Sequence, residues 1–462
     1  MNRVLAITDL TLRTALRSRT FLFLSGLLLL AIYILPGSLK GDGTIEGQVQ
    51  IMIQYTLGCS FFILALTTIW AGCSAVSHEV QSRTLHQIVS KPVQTWELWA
   101  GKWLGVNALN ACLLGIVGLG AFLQLQLTIR GPHTPEDAAT IGWVLNAHVF
   151  QQPLSRPTLD KEVQEIFDTL ASEGETELIE HAHTPSEIES VKSTIKHRIL
   201  SRPLVVAPGK HFEWSFNSPV NQDKSTPFLS YTLMPSGHLA NPPMKGKFVF
   251  FADDSAHPFL TTQVESRCNV AVRVPIDLPD QFSANRIRVK FMNVEPAEGE
   301  TIVFKNETAL SMSYKASGFL SNMLKALLIL FFKLSLIAAI GISCGSMFTL
   351  PVAGFLTAFF LCLPQLTTLL DDTSGERLHD HHGHSHEETT APPSVMLKKA
   401  YVAVNTSVAP LSGYSPLKDL ARGILIPWTH VLVCAFWFSC VYTIVFAITG
   451  IIGFNRRELG LA

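Results

Sequence analysis

Six apolar runs, at residues 20–36, 51–76, 103–127, 319–343, 347–370 and 427–453, set the terms on which this chain can fold. Each is near the roughly 20 residues that a helix needs to cross the hydrocarbon core of a bilayer. Only 15% of the 462 residues are charged, and mean hydropathy is +0.30. An average soluble protein carries about 25% charged residues. Because the shortage falls in blocks, the expectation is an α-helical integral membrane protein with six transmembrane helices. The long segment between the third and fourth runs is expected to form an extracytoplasmic α+β insert containing a β-sandwich-like domain.

Basic residues near short connections stay on the cytoplasmic side. Arg3, Arg13, Arg17 and Arg19 precede the first run on an amphipathic stretch, and Arg456 and Arg457 follow the last. Arg83, Lys91 and Lys102 join the second run to the third, whereas segment 37–50 has Lys40 opposed by Asp42 and Glu46. Six spans with both termini inside satisfy all of these. Residues 128–318 and 371–426 then lie outside, and a bacterial inner membrane is the expected location. The N-terminal sequence lacks a short apolar core followed by a small-residue cleavage site, so no cleavable signal is expected. A net charge of −1 gives no electrostatic preference for nucleic acid. Seven of the eight cysteines fall in or beside apolar runs; only Cys268 lies in the insert, so no internal disulfide can staple it.

The insert reads in two parts. Val163, Ile166, Phe167 and Leu170 share one helical face, and Thr184-Pro185-Ser186-Glu187 has the form of a capping box ahead of Ile188, Val191, Ile195 and Ile199. The period then changes to two. Phe212, Trp214 and Phe216 alternate with His211, Glu213 and Ser215, and Ile287, Val289 and Phe291 alternate with Arg286, Arg288 and Lys290. Further strands are expected near 228–234, 246–252, 261–274 and 301–314. Short strands broken by Pro and Gly suggest a sandwich, serving either as a binding or docking domain or as a spacer.

The segment 77–105, SHEVQSRTLHQIVSKPVQTWELWAGKWLG, joins the second and third runs. Gln81–Val89 can form a short helix ended by Pro92. Trp96 and Trp99 sit where indole rings favour a membrane boundary. By itself the pattern fits an ordinary amphipathic connector. Its parts, in order, are Glu79, then Arg83-Thr84-Leu85, then Ser90-Lys91-Pro92-Val93, then Gly101-Lys102. This sequence closely resembles the first cytoplasmic loop of ABC-type export permeases of the second class. The resemblance covers the six spans and this loop, and leaves out the insert. It implies that Glu79, Arg83, Thr84, Leu85, Lys91 and Pro92 couple the chain to a separate cytoplasmic ABC ATPase subunit. It also implies a second permease copy or a paralogue as partner, and ATP with Mg on the ATPase rather than on this chain. The sequence agrees on the last point: neither Gly101-Lys102-Trp103 nor Gly209-Lys210-His211 continues into a P-loop, so no nucleotide site of its own and no enzyme activity are expected.

Other features point elsewhere. Lys333 falls inside the fourth run, and an intramembrane Lys is a functional candidate because its burial is costly. His379, His381, His382, His384 and His386 lie among Asp371, Asp372, Glu376, Asp380, Glu387 and Glu388. Imidazoles suit Zn or Cu, though the spacing is that of no closed structural site. After them, Ser415-Pro416 opens a short amphipathic helix carrying Leu417, Leu420, Ile424 and Leu425. Gly341-Ile342-Ser343-Cys344-Gly345 satisfies G-x-S-x-G, but it ends an apolar run where small residues permit close packing, so hydrolase chemistry is not expected. Alternatives to an exporter subunit are a non-transporting ATPase-driven assembly acting on an envelope partner, and a metal-handling transporter or maturation factor.

Overall fold

A computed structural model describes residues 2–38, 45–81, 94–130, 143, 145–154, 159–173, 185–218, 226–234, 244–252, 255, 257–266, 268, 271–279, 282, 284–294, 301–306, 309–362 and 415–456. The chain divides into two compact units, Met1–Ala147 with Gly318–Ala462, and His148–Ser317.

The first unit is helical. Helix α1 (Asn2–Arg17) meets α2 (Arg19–Ser38) at a bend of 72°. Ser18 Oγ accepts from Phe21 N–H at 3.4 Å, which helps start α2. Then come α3 (Ile45–Gln81), α4 (Thr95–Ile129), α7 (Phe319–Met347), α8 (Leu350–Cys362), α9 (Pro416–Ala421) and α10 (Trp428–Asn455). Among the described residues, four helices (α3, α4, α7 and α10) are long and apolar enough to cross a membrane, and a fifth crossing is available if the α1–α2 pair forms one bent span. The run at 347–370 is described as helix only over Leu350–Cys362. Its expected start moves as well. Helix α7 continues through Met347, Phe348 N–H still donates to Cys344 O at 2.9 Å, and the next helix begins only at Leu350. Helix α9 stops at Ala421, short of Ile424 and Leu425, because Gly423 takes a positive φ of 69° that reverses the chain. Within α10, residues Ala435–Tyr442 widen into a π-helical stretch, and Thr443 Oγ donates to Phe438 O at 2.7 Å, five residues back.

The second unit has α5 (Leu159–Glu173) and α6 (Pro185–Leu200), which pair through Leu159, Val163, Val191, Ile195 and Ile199. Its strands are β1 (Asn146–Gln151), β2 (Leu204–Val206), β3 (His211–Asn217), β4 (Phe228–Met234), β5 (Met244–Ala252), β6 (Pro258–Ser266), β7 (Ala271–Pro275), β8 (Arg286–Asn293), β9 (Ile302–Phe304) and β10 (Ser311–Gly318). One sheet runs β1-β10-β4-β9-β2 with β7 also on β4; the other runs β3-β8-β5-β6. The strand expected over 261–274 is therefore two strands, and they belong to different sheets: β6 pairs with β5, and β7 pairs with β4. The expected strand over 301–314 likewise divides into β9 and β10. Both sheets feed one apolar core. Trp214 of β3 meets Phe304 of β9 at 5.5 Å between ring centroids, and Tyr231 of β4 meets Phe248 of β5 at 5.0 Å.

Candidate functional site

Residues 82–93 of the segment singled out by sequence connect α3 to α4 in the chain. Arg83, Thr84, Leu85, Lys91 and Pro92 lie outside the described residues, as does most of the helix expected over Gln81–Val89. Glu79 falls in the last turn of α3. The structure shows how the two stems of this loop are held.

Ser77, near the end of α3, is buried, and its Oγ donates to Gly345 O at 3.1 Å and lies 3.4 Å from Phe348 O. The departing end of α3 is thereby tied to the end of α7. On the returning side, Gln94 caps α4, and its N–H donates to Glu97 Oε2 at 3.0 Å. Glu97 also faces Arg3 of α1 at 4.0 Å. Two residues later Trp99 Nε1 donates to Ser343 Oγ at 3.2 Å, again on α7. The stems are also linked to each other: Lys102, only 2% exposed, donates from Nζ to Ala75 O at 2.6 Å. A charge at such a depth needs a strong acceptor, and a short charge-assisted bond to a carbonyl supplies one.

Glycine makes the close approach possible. A Cβ on Gly101 would stand 2.7 Å from Ile7, and one on Gly105 would stand 2.8 Å from Thr11, so α1 rests directly on α4 at these two positions. Thr8 Oγ donates across that contact to Gly101 O at 3.1 Å. A Cβ on Gly345 would stand 2.8 Å from Cys73 O, and Gly72 and Gly341 face each other in the same helix pair. These are the small-residue contacts that membrane helices use to associate. The G-x-S-x-G sequence resolves in the same way. Ser343 Oγ donates to Phe446 O at 2.6 Å while accepting from Trp99, and so links α7, α10 and α4 rather than acting as a nucleophile.

Lys333 is half-buried on α7. The more deeply buried lysines are Lys102 and Lys325, at 2% and 5% exposed. Lys325 sits 5.4 Å from the ring centroid of Trp428, and beside it Asn322 Nδ2 donates to Ile424 O while Ile426 N–H donates back to Asn322 Oδ1, both at 2.8 Å. Lys325 stands in the same apolar run as Lys333, so the argument from burial cost applied to it equally. Lys102 stands at the edge of its run, and nothing in the linear pattern marks it as buried. His379, His381, His382, His384 and His386 lie outside the described residues; among those described, no group of three or more His, Cys, Asp or Glu is placed to hold a metal ion.

Residues 5–141 match the family model described as ABC-2 family transporter protein. The matched stretch contains most of α1, all of α2 to α4 and the whole loop between α3 and α4, and it supports an ABC-2-type permease, a membrane transport subunit of a family that generally works with an ATPase subunit. No curated protein and no solved structure matches the chain.

Proposed function

We propose that this chain is the membrane-spanning permease subunit of an ATP-binding-cassette exporter, and that residues 79–93 receive the stroke of a separate cytoplasmic ATPase. The observation that carries the reading is the bracing of the loop's stems. Ser77 and Trp99 are both fastened to the last turns of α7, and Lys102 clamps α4 to α3. A force on the loop therefore reaches three helices together instead of being absorbed by one flexible end. Coupling needs an element whose arrangement both sites bias, and this junction fits that need. The family match, which covers α3, α4 and the loop between them, also supports it. In this reading both termini and the loop face the cytoplasm of a bacterial inner membrane. A second copy or a paralogue completes the translocation path, and ATP with Mg binds only the partner.

The test is co-expression with a P-loop ATPase of the ABC class. Replacing Glu79 and Arg83 together with Ala is expected to reduce co-purification or permease-stimulated ATP hydrolysis. Unchanged values of both would remove the coupling role from this loop.

A second reading draws on the separate fold of His148–Ser317. An independently cored unit of this size suits docking an envelope partner, which the same motor would then move without transport. Deleting residues 150–316 distinguishes the two: intact export of cargo favours the first reading, and retained ATPase coupling with loss of partner capture favours the second. Zn or Cu binding at His379–His386 remains a separate proposal, tested by titrating the metal into intact protein and into a variant lacking 374–388.

A further inference from the structure

Among the described strands, β6 is the longest that ends a sheet. It closes the order β3-β8-β5-β6, and β5 pairs with one side of it. Among the described residues, nothing bonds to its backbone on the other side. The far edge of the same sheet differs, because Leu154 N–H donates to Ser215 O of β3 at 2.7 Å. An unpaired edge offers a row of N–H and C=O groups to any other strand, and soluble proteins guard such edges with Lys, Pro, bulges or inward charges.

Strand β6 is guarded only at its start. Pro258 stands there, the register shifts opposite Phe250 and Phe251, and Phe259 packs on Phe282 at 5.2 Å between ring centroids. From Leu260 to Val264 the sequence is Leu-Thr-Thr-Gln-Val, with no charge, no Pro and β-branched residues at three of five positions. Leu260, Thr262 and Val264 lie opposite Phe250, Phe248 and Gly246 of β5 and are only partly buried, while Thr261 and Gln263 on the other face are exposed. Leu260 and Val264 pack against the aromatic core. The core thus reaches this edge without being closed over it.

We infer that this edge binds the same edge of a second copy of the chain, antiparallel, joining the two four-stranded sheets into one continuous sheet. A two-fold axis at Thr262 sets Leu260 opposite the second copy's Val264 on the inner face, and Thr261 opposite its Gln263 on the outer face. Thr262 meets Thr262. Apolar side chains then face apolar ones, and Thr pairs are favourable across strands. Moving the axis one residue either way would set Leu260 opposite Thr262 or Ser266 instead. The charges fit as well: Glu265 comes opposite Phe259 and not the other Glu265, and Lys245 and Lys247 stay one strand away on β5. In such augmentation main-chain bonds give affinity and alternate side chains give specificity, and a self-complementary register selects a second copy over an unrelated strand. The inference supplies a contact for the second copy in the permease reading but rests on the sheet edge, so the two can fail separately.

The test is cross-linking of the full-length protein in membranes with copper phenanthroline as oxidant. Side chains directly opposite across a strand pair have Cβ atoms about 4.5–5.5 Å apart, close to disulfide reach. Thr262→Cys should give a dimer that dithiothreitol reverses and that wild type lacks. Co-expressed copies carrying Thr261→Cys under one tag and Gln263→Cys under another probe the same register at exposed positions, should Thr262→Cys fail to fold, and are expected to cross-link between tags. Adding Thr261→Lys and Gln263→Lys to Thr262→Cys sets Lys against Lys and should remove most of the dimer. Absence of cross-linking in both designs would overturn the contact. So would an equal yield from His211→Cys on the far edge, which would mean chance collision, or a dimer undiminished by the two Lys. A dimeric mass in detergent without the β6 cross-link would overturn this contact and leave the second copy of the permease reading in place. The cross-link in a chain that captures no ATPase would keep this contact and count against the coupling reading.

Discussion

The two units of this chain solve the packing problem in opposite ways. In His148–Ser317 the large aromatics point inward: Phe216, Phe248, Phe250, Phe291 and Phe304 are each at most 1% exposed. In the helical unit apolar rings face outward freely, with Tyr33 82%, Phe355 71% and Phe23 70% exposed. The first pattern is what water selects, since removing apolar area from it is the main driving force. The second suits a lipid surround, where an outward Phe carries no penalty and association rests on close backbone approach and interhelical hydrogen bonds. That is why glycines and hydroxyls crowd the helix contacts at Gly345 and Ser343, while rings fill the core to which both sheets contribute.

If the contrast is sound, the largest effect should come from emptying the aromatic core. Phe248→Ala is expected to cost about 3–5 kcal/mol. Hydrogen exchange on the full chain should show protection lost in β5 and β8 but kept in α3 and α7. Equal loss in the helices would mean that the two cores are not energetically separate.

Alkaline pH probes the same core. Burial pushes the Tyr231 hydroxyl up from 10.0 to about 12, against a smaller opposing effect of its 2.5 Å hydrogen bond with Ser266. The folded state holds this proton more tightly than the unfolded chain, so stability is undiminished below about pH 10 and falls as pH rises from 10 toward 12. Across that window the loss is roughly 2–3 kcal/mol. Thiol labelling of the buried Cys268 under denaturant should report it, and Tyr231→Phe should flatten the dependence. An unchanged slope in that variant would assign the loss to other groups.

In the helical unit the sensitive positions are small rather than large. Gly345→Ala places a Cβ 2.8 Å from the Cys73 carbonyl, a backbone atom that cannot swing aside. The expected cost is about 1–3 kcal/mol of overpacking, read as a lower midpoint of thermal unfolding in detergent. Gly354→Ala, with nothing within 4 Å, is the control and should leave the midpoint unchanged or raise it. Equal behaviour of the two would show that close approach does not hold these helices together. The smallest effect is expected of Ser343→Ala, about 1 kcal/mol for its links to Phe446 and Trp99. A loss as large as that of Phe248→Ala would make polar links, not only small residues, the principal glue.

Much of the local structure was legible. Alternation at Phe212, Trp214 and Phe216 correctly marked β3, and that at Ile287, Val289 and Phe291 marked β8, because a strand with one buried face must repeat with period two. The same period misled at 261–274. Val264 and Val272 fit one register, yet the chain leaves one sheet and enters the other between them. Short strands such as β2, three residues long, carry too few positions to show a period at all. At the candidate site, the loop motif is bounded by the ends of α3 and α4, and the groups that brace those ends did not stand out in the linear pattern.

What the sequence determined by itself was the class of the longer segments. Apolar length selects a membrane helix, alternation selects a half-buried strand, and the ordered motif from Glu79 to Lys102 selects a family that the match over residues 5–141 supports. What only the tertiary structure decided was which side chains meet. Lys102 is clamped to Ala75 while Lys333 stays half-buried, and Gly101 and Gly105 receive α1, because the rotation of each helix about its axis sets those contacts. That rotation is settled jointly by partners far apart in the chain, 244 residues for Trp99 and Ser343 and 268 for Ser77 and Gly345, and no local period encodes it.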